Sequence, residues 1–304
     1  MQHIIAEALP QLRRPVLIAA FAGWNDAATV ATSAVRFLAH HWSATKCAHL
    51  DPEEFFVFTE TRPEVRIVQG AQREIEWPSN TFYYYQAERL TRDFLLLLGI
   101  EPQLRWKAFT REIVDFCLLS GVRMVVTLGG LLADVLHSAP VALTGSSSDP
   151  EMAARLSRLG LRASAYQGPT GIVGVLGTAC REVGITTASI WGSVPHYISA
   201  MPNPKVSAAM LGKLDAFLDL NLDLHGWHVA AAKFEKQVSE AVTANPEVAE
   251  YVRKLEERER ERASELEPEE APSSSEFPSG EAVVRDLEEF LRRRQHKSED
   301  DSPE

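Results

Sequence analysis

The chain has 304 residues, 45% hydrophobic and 24% charged, a composition that suits a globular protein with a large core. Its formal charge of −11 is unevenly placed: residues 264–304 hold 13 acidic and 5 basic side chains, so the remainder is nearly balanced. That balance excludes a basic groove for nucleic acid, and no apolar run approaches the roughly 18 residues a membrane span needs. Met1-Gln2-His3-Ile4-Ile5 lacks the basic and apolar regions of a secretory signal, so a cytoplasmic protein is expected. Cys47, Cys117 and Cys180 are odd in number and dispersed, which fits a reduced compartment and small core residues rather than a cysteine zinc site.

In chain order, Val16 to Ala22 is a continuous apolar run and reads as a strand buried on both faces. Gly23-Trp24-Asn25-Asp26 then turns the chain, with Asn25 or Asp26 placed to cap a helix from Ala27. Val30, Ala31, Ala34, Val35 and Leu38 recur at helical spacing and give that helix one apolar face. Lys46 to Leu50 is a short strand, and Asp51 is placed to cap Phe55 to Phe58. Val65 to Gln69 and Gln72 to Trp77 alternate as an antiparallel hairpin, followed by the aromatic stretch Thr81 to Tyr85. Phe94 to Leu98 reads as a second central strand, Leu104 to Leu119 as a helix, and Val122 to Leu128 as a strand closed by Gly129-Gly130. Further strands are expected at Pro140–Gly145, Leu161–Tyr166 and Ile185–Trp191, alternating with helices at Pro150–Leu159, Ile172–Val183 and Lys205–Leu220. This alternation predicts an α/β fold with a mainly parallel sheet, helices on both faces, and an antiparallel excursion near 65–85.

Beyond Leu224 the pattern changes to two apolar stripes, Ala231-Phe234-Val238-Ala241 and Val248-Val252-Leu255, broken by Asn245-Pro246. They form a C-terminal helical hairpin. The expected organisation is a core over 1–225, a hairpin over 226–263, and an acidic tail over 264–304. That tail is expected to be partly disordered, with a short amphipathic helix near 280–294.

Four glycine-bearing segments follow predicted strands, and a parallel sheet would gather them at its carboxyl edge. They are Gly23-Trp24-Asn25-Asp26, Gly129-Gly130, Thr144-Gly145-Ser146 and Gly168-Pro169-Thr170-Gly171. With His196 and Tyr197 they make a candidate pocket of Gly23, Trp24, Asn25, Asp26, Gly129, Gly130, Thr144, Gly145, Gly168, Thr170, Gly171, His196 and Tyr197. Backbone donors and helix N-termini there would favour an anionic or nucleoside-like ligand. The same glycines are also how such sheets close, and both readings stand. Asp134 and His137, three apart, are a candidate acid–base pair or a local hydrogen bond. His225 and His228 lack a third ligand, His40-His41 reads as surface, and Ser146-Ser147-Ser148 lacks the nucleophile elbow, so neither cofactor nor metal is expected.

Assembled, these residues resemble the proteasome assembly chaperone 2 family, in its actinobacterial branch. The resemblance rests on Phe21-Ala22-Gly23-Trp24-Asn25-Asp26-Ala27, Asp51-Pro52-Glu53-Glu54-Phe55 with Thr61-Arg62-Pro63, and Gly99-Ile100-Glu101-Pro102 with Arg105-Trp106. It continues through Leu128 to Val135, Gly168 to Ile172, Pro195-His196-Tyr197-Ile198, and Pro202-Asn203-Pro204-Lys205. It implies a core similar to the phosphorylase/hydrolase-like fold, self-association, and, for eukaryotic and archaeal relatives, binding of the proteasome α ring. Two departures stand out: the end Asp301-Ser302-Pro303-Glu304 is not the hydrophobic–Tyr–X tail of some relatives, and Ala139 stands where an arginine is expected. The sequence thus points to a homo-oligomeric protein-binding factor with proteasome subunits as candidate partners. The alternative is a small-molecule-binding enzyme or sensor using the glycine turns.

Overall fold

A computed structural model describes residues 2–7, 9–68, 72–198 and 201–265; the expected tail helix at 280–294 lies outside the described residues. The chain divides into two units, residues 1–165 with 170–257, and residues 166–169 with 258–304. The first unit contains the sheet.

Its strands are β1 (Ile4–Ala6), β2 (Val16–Ala22), β3 (Thr45–Leu50), β6 (Asn80–Tyr85), β7 (Phe94–Ile100), β8 (Met124–Ala133), β9 (Leu143–Ser147) and β10 (Thr186–Pro195). They lie in the order β1-β3-β6-β7-β2-β8-β10-β9. β7, β2, β8 and β10 are parallel, while β1, β3, β6 and β9 join antiparallel at the flanks. The α/β class and the parallel centre agree with the sequence pattern, and the antiparallel share is larger than it suggested. β4 (Glu64–Val68) and β5 (Gln72–Glu76) pair only with each other.

Strand alternation sorts the core into two layers. Val16, Ile18 and Ala20 of β2 face one apolar cluster, shared with α1 (Val30–His41) and α5 (Pro204–Leu218). Leu17, Ala19 and Phe21 face a second cluster, shared with α2 (Trp106–Leu119) and α4 (Ile172–Glu182). Helices therefore cover both faces, as a doubly wound sheet requires. α3 (Pro150–Arg158) starts with Asp149 accepting a hydrogen bond from Met152 N at 2.9 Å. α6 (His225–Ala244) and α7 (Pro246–Glu265), the two arms of the expected C-terminal hairpin, are separated at Asn245.

Four local expectations change. Leu161–Tyr166 is not a strand but one isolated bridge, Thr144 to Arg162, because residues 162–166 are exposed and carry no buried face. Asp51 caps no helix at Phe55–Phe58; its carboxylate instead accepts from Glu53 N in a tight turn. The first helix begins at Val30 after a three-ten turn over Ala27–Thr29, and Asp26 reaches past that turn to accept from Ala31 N at 2.7 Å. β8 does not stop at Gly129-Gly130 but runs on to Ala133 beside β10.

Candidate functional site

The end of β2 builds a tight junction. Asn25 is 1% exposed; its side-chain amide donates to Glu101 Oε1 at 2.7 Å, and the same oxygen accepts from Ile172 N at 2.8 Å. Ile172 opens α4, so Glu101 lies at the positive end of the helix dipole, where an anionic ligand would otherwise bind. The chain's own carboxylate occupies that place. Gly171 permits it: a Cβ there would lie 2.1 Å from Asn25 Oδ1. Asp26 is buried and bonds Ala31 N, Thr32 N and the Thr32 hydroxyl; burial raises its pKa above the usual carboxylate range although those bonds oppose the rise.

The other predicted pocket residues separate. Gly130 joins the junction, its amide donating to Asn25 O at 2.8 Å while a Cβ would meet Val30 at 2.4 Å. Gly129 lies within β8, where a Cβ would strike the Trp191 ring. Thr144 and Gly145 lie inside edge strand β9, and Gly145 makes room for Leu161. They are not a turn beside Asn25. Gly23 has a left-handed φ of +115°, which the sharp exit from β2 requires. Trp24 projects outward, 62% exposed, and the Thr170 hydroxyl sits beside Gly174. Gly168 belongs to the second unit, where the Tyr166 hydroxyl donates to Pro169 O at 3.0 Å.

His196 and Tyr197 form a different cluster, at the ends of β8 and β10. Asp134 pairs with His196 Nδ1 at 3.0 Å rather than with His137, and also accepts from the Tyr251 hydroxyl at 3.3 Å. His137 is buried: its backbone N and its Nδ1 each lie 2.8 Å from the Tyr197 hydroxyl, and its Nε2 lies 3.1 Å from Ser239 Oγ of α6. The Lys205 ammonium from α5 bonds the carbonyls of His137 and Ala139 and the Glu235 carboxylate of α6. Its three donors meet three acceptors. Beside it, Pro140, Val141, Asn203 and Phe234 help enclose a void of about 20 Å³, room for one water. Sequence reasoning quoted Lys205 without giving it a role, and it missed Glu235, Ser239 and Tyr251, because only α6 and α7 bring these three to Lys205, His137 and Asp134. It quoted Glu101 but gave it no part in the pocket.

The serine run is hydrogen-bonded within the sheet edge, and the three cysteines are buried. Ser147 and Ser148 bond the Thr187 carbonyl, and Ser146 bonds Ser189 at 2.8 Å. Burial pushes the Cys47 and Cys180 thiols up to about 12 and the Cys117 thiol well upward, away from the reactive thiolate form. No helix among the described residues is long and apolar enough to cross a membrane.

The profile of the PAC2 family matches residues 20–242, most of the sheet and its helices. The chain belongs to the PAC2 family. It is 39% identical to a solved PAC2 family protein from Streptomyces avermitilis, covering 78% of this chain and 99% of that one, with a TM-score of 0.72. A proteasome-assembly chaperone homologue from Mycobacterium tuberculosis is 37% identical over 78% of this chain and 99% of its own, with a TM-score of 0.70. PbaB, an archaeal proteasome activator from Pyrococcus furiosus, is 18% identical over 79% of this chain and 99% of its own; its TM-score of 0.63 marks a shared fold. None of the curated proteins matches the sequence. Within this PAC2 protein, both the Asn25–Glu101 junction and the His137 cluster fall inside the matched residues on their core side.

Proposed function

We propose that this PAC2 protein is a self-associating, protein-binding factor of the chaperone type, with proteasome subunits as its partners and no catalytic step of its own. What carries this reading is the Mycobacterium tuberculosis proteasome-assembly chaperone homologue, 37% identical across nearly its whole length. The filled carboxyl edge supports it, since Glu101 takes the position an anionic substrate would need. So does the β4–β5 hairpin. Its register places Val65, Ile67 and Ile75 on one face, 61%, 68% and 59% exposed, and a two-stranded hairpin is marginal without a further layer.

A small-molecule reading has one observation in its favour. Asn25 Oδ1 is buried and has no hydrogen-bond partner among the described residues, so it could accept from a ligand that donates. Native mass spectrometry of the protein, gently purified from its own host, separates the two. A stoichiometric complex with proteasome α subunits is the expected result. A homo-oligomer carrying a tight small molecule, and no protein partner, overturns it in favour of the pocket.

A further inference from the structure

The β4–β5 hairpin is fixed at its base and bare along its length. Phe58 meets Trp77 edge-on at 5.0 Å, and Gln103 Nε2 donates to the Thr61 hydroxyl at 2.7 Å. Beyond those contacts β4 and β5 form a sheet of their own, in which every residue but Val68 is exposed. Among the described residues no strand pairs with the outer edge of either. An unpaired edge is a template for another strand, and a hairpin gains independent stability once its sheet has three or more strands and an apolar face.

Charge selects the edge and the register. On the face opposite Val65 and Ile75, Glu64 stands directly across from Glu76, and Arg66 from Glu74. One cation there serves three carboxylates. Arg66 forms its ion pair with Glu76, and Glu64 has none among the described residues. Like charges directly opposite are destabilising, so β4 carries a carboxylate in need of a cation. A strand paired with its own copy about a two-fold axis runs antiparallel to it and meets it symmetrically about one residue. With Val65 at the centre of β4, Glu64 falls opposite Arg66 of the second copy, and Arg66 opposite its Glu64. Centring on Glu64 or Arg66 sets like charges together, and centring on Ile67 or Val68 gives neither charge an opposite. In β5 no centre pairs opposite charges, because Arg73 lies on the other face from Glu74 and Glu76.

We propose that two copies of this chain pair through the β4 edge, antiparallel about a two-fold axis at Val65. The result is a four-stranded sheet with β4 and its copy at the centre and Val65, Ile67 and Ile75 of both copies on one face. The contact is isologous, so it closes on itself instead of growing into a filament. It deepens the self-association proposed above and rests on it.

Single cysteines read the register, since the three native cysteines are buried. In Val65→Cys the two new sulfurs face each other across the axis, within disulfide reach; in Ile67→Cys they stand roughly 14 Å apart, beyond it. Mild oxidation of the full chain is expected to cross-link Val65→Cys at least about tenfold more than Ile67→Cys, although Ile67 is the more exposed residue. Glu64→Arg is expected to raise the dimer dissociation constant about tenfold in sedimentation equilibrium, because it sets a cation against Arg66 in each copy. Within its own hairpin that change places an arginine across from Glu76, an attractive pair, so the loss is not hairpin unfolding. Equal cross-linking of the two cysteine variants, or none of either, overturns the β4 contact, as does a Glu64→Arg protein that associates like the wild type. Where the wild type still self-associates, those results strike the edge alone. A wild type that is monomeric at every concentration overturns the edge and the self-association together.

Discussion

The carboxyl edge of the central sheet and the outer half of the α6–α7 hairpin are both built from polar side chains, yet they are held differently. At the sheet edge, Asn25, Asp26 and Glu101 are fixed by glycines that let backbone and side chain approach within contact distance, over a continuous apolar core. At the hairpin, Lys205, His137 and Ser239 bridge helices that bury few apolar groups between them. The first region resists change because nothing can shift without opening the core. The second rests on a few hydrogen bonds and one ion pair.

The largest separation between the regions is expected from Glu101→Ala. It strips the partner from the Asn25 amide and from the α4 N-terminus and should cost about 2–4 kcal/mol in urea unfolding. Glu101→Gln, whose oxygen can still accept both bonds, should recover most of that loss. If both variants unfold like the wild type, the sheet edge is not a structural junction, and a ligand role for it gains ground.

Gly171→Ala, which drives a methyl group into Asn25, should cost about 1–3 kcal/mol by overpacking. Acid should act next, on the N-terminal segment. Asp93 is buried, which would raise its pKa, but bonds from Arg13 and from the Ala87 amide hold it below the usual carboxylate value. Glu112 is likewise held low, against burial, by the Gln2 and His3 amides. Both groups stabilise the fold fully above the ordinary carboxylate range, and the contribution is lost as pH falls through their depressed values. Thermal melts from neutral pH downward should show this, and Asp93→Asn should flatten the slope.

Ser239→Ala should cost only about 0.5–1.5 kcal/mol, and the loss should appear in hairpin exchange rates rather than in global unfolding. A loss shared equally by β8 would erase the contrast between the two regions. Least of all in stability, Ile67→Glu on the exposed hairpin face should fall within about 0.5 kcal/mol of wild type. Its effect should instead appear in sedimentation as a lighter species. Unchanged self-association would remove that face from the proposed interface.

The β2 strand, its tight turn, the amphipathic α1 and the hairpin break at Asn245-Pro246 were all legible in the chain, because period, glycine placement and proline act locally. Leu161–Tyr166 misled because a few apolar letters do not make a strand without a buried face. Gly129-Gly130 read as a stop but instead leaves room for Trp191 and for the start of α1, a demand set by distant residues. What the sequence determined by itself was the class of fold and the family, since both are written in local pattern and motif order. Tertiary structure alone decided which polar groups meet. Glu101 finds Ile172 across 71 positions and His137 finds Ser239 across 102, and no local signal records a contact made by folding at that range.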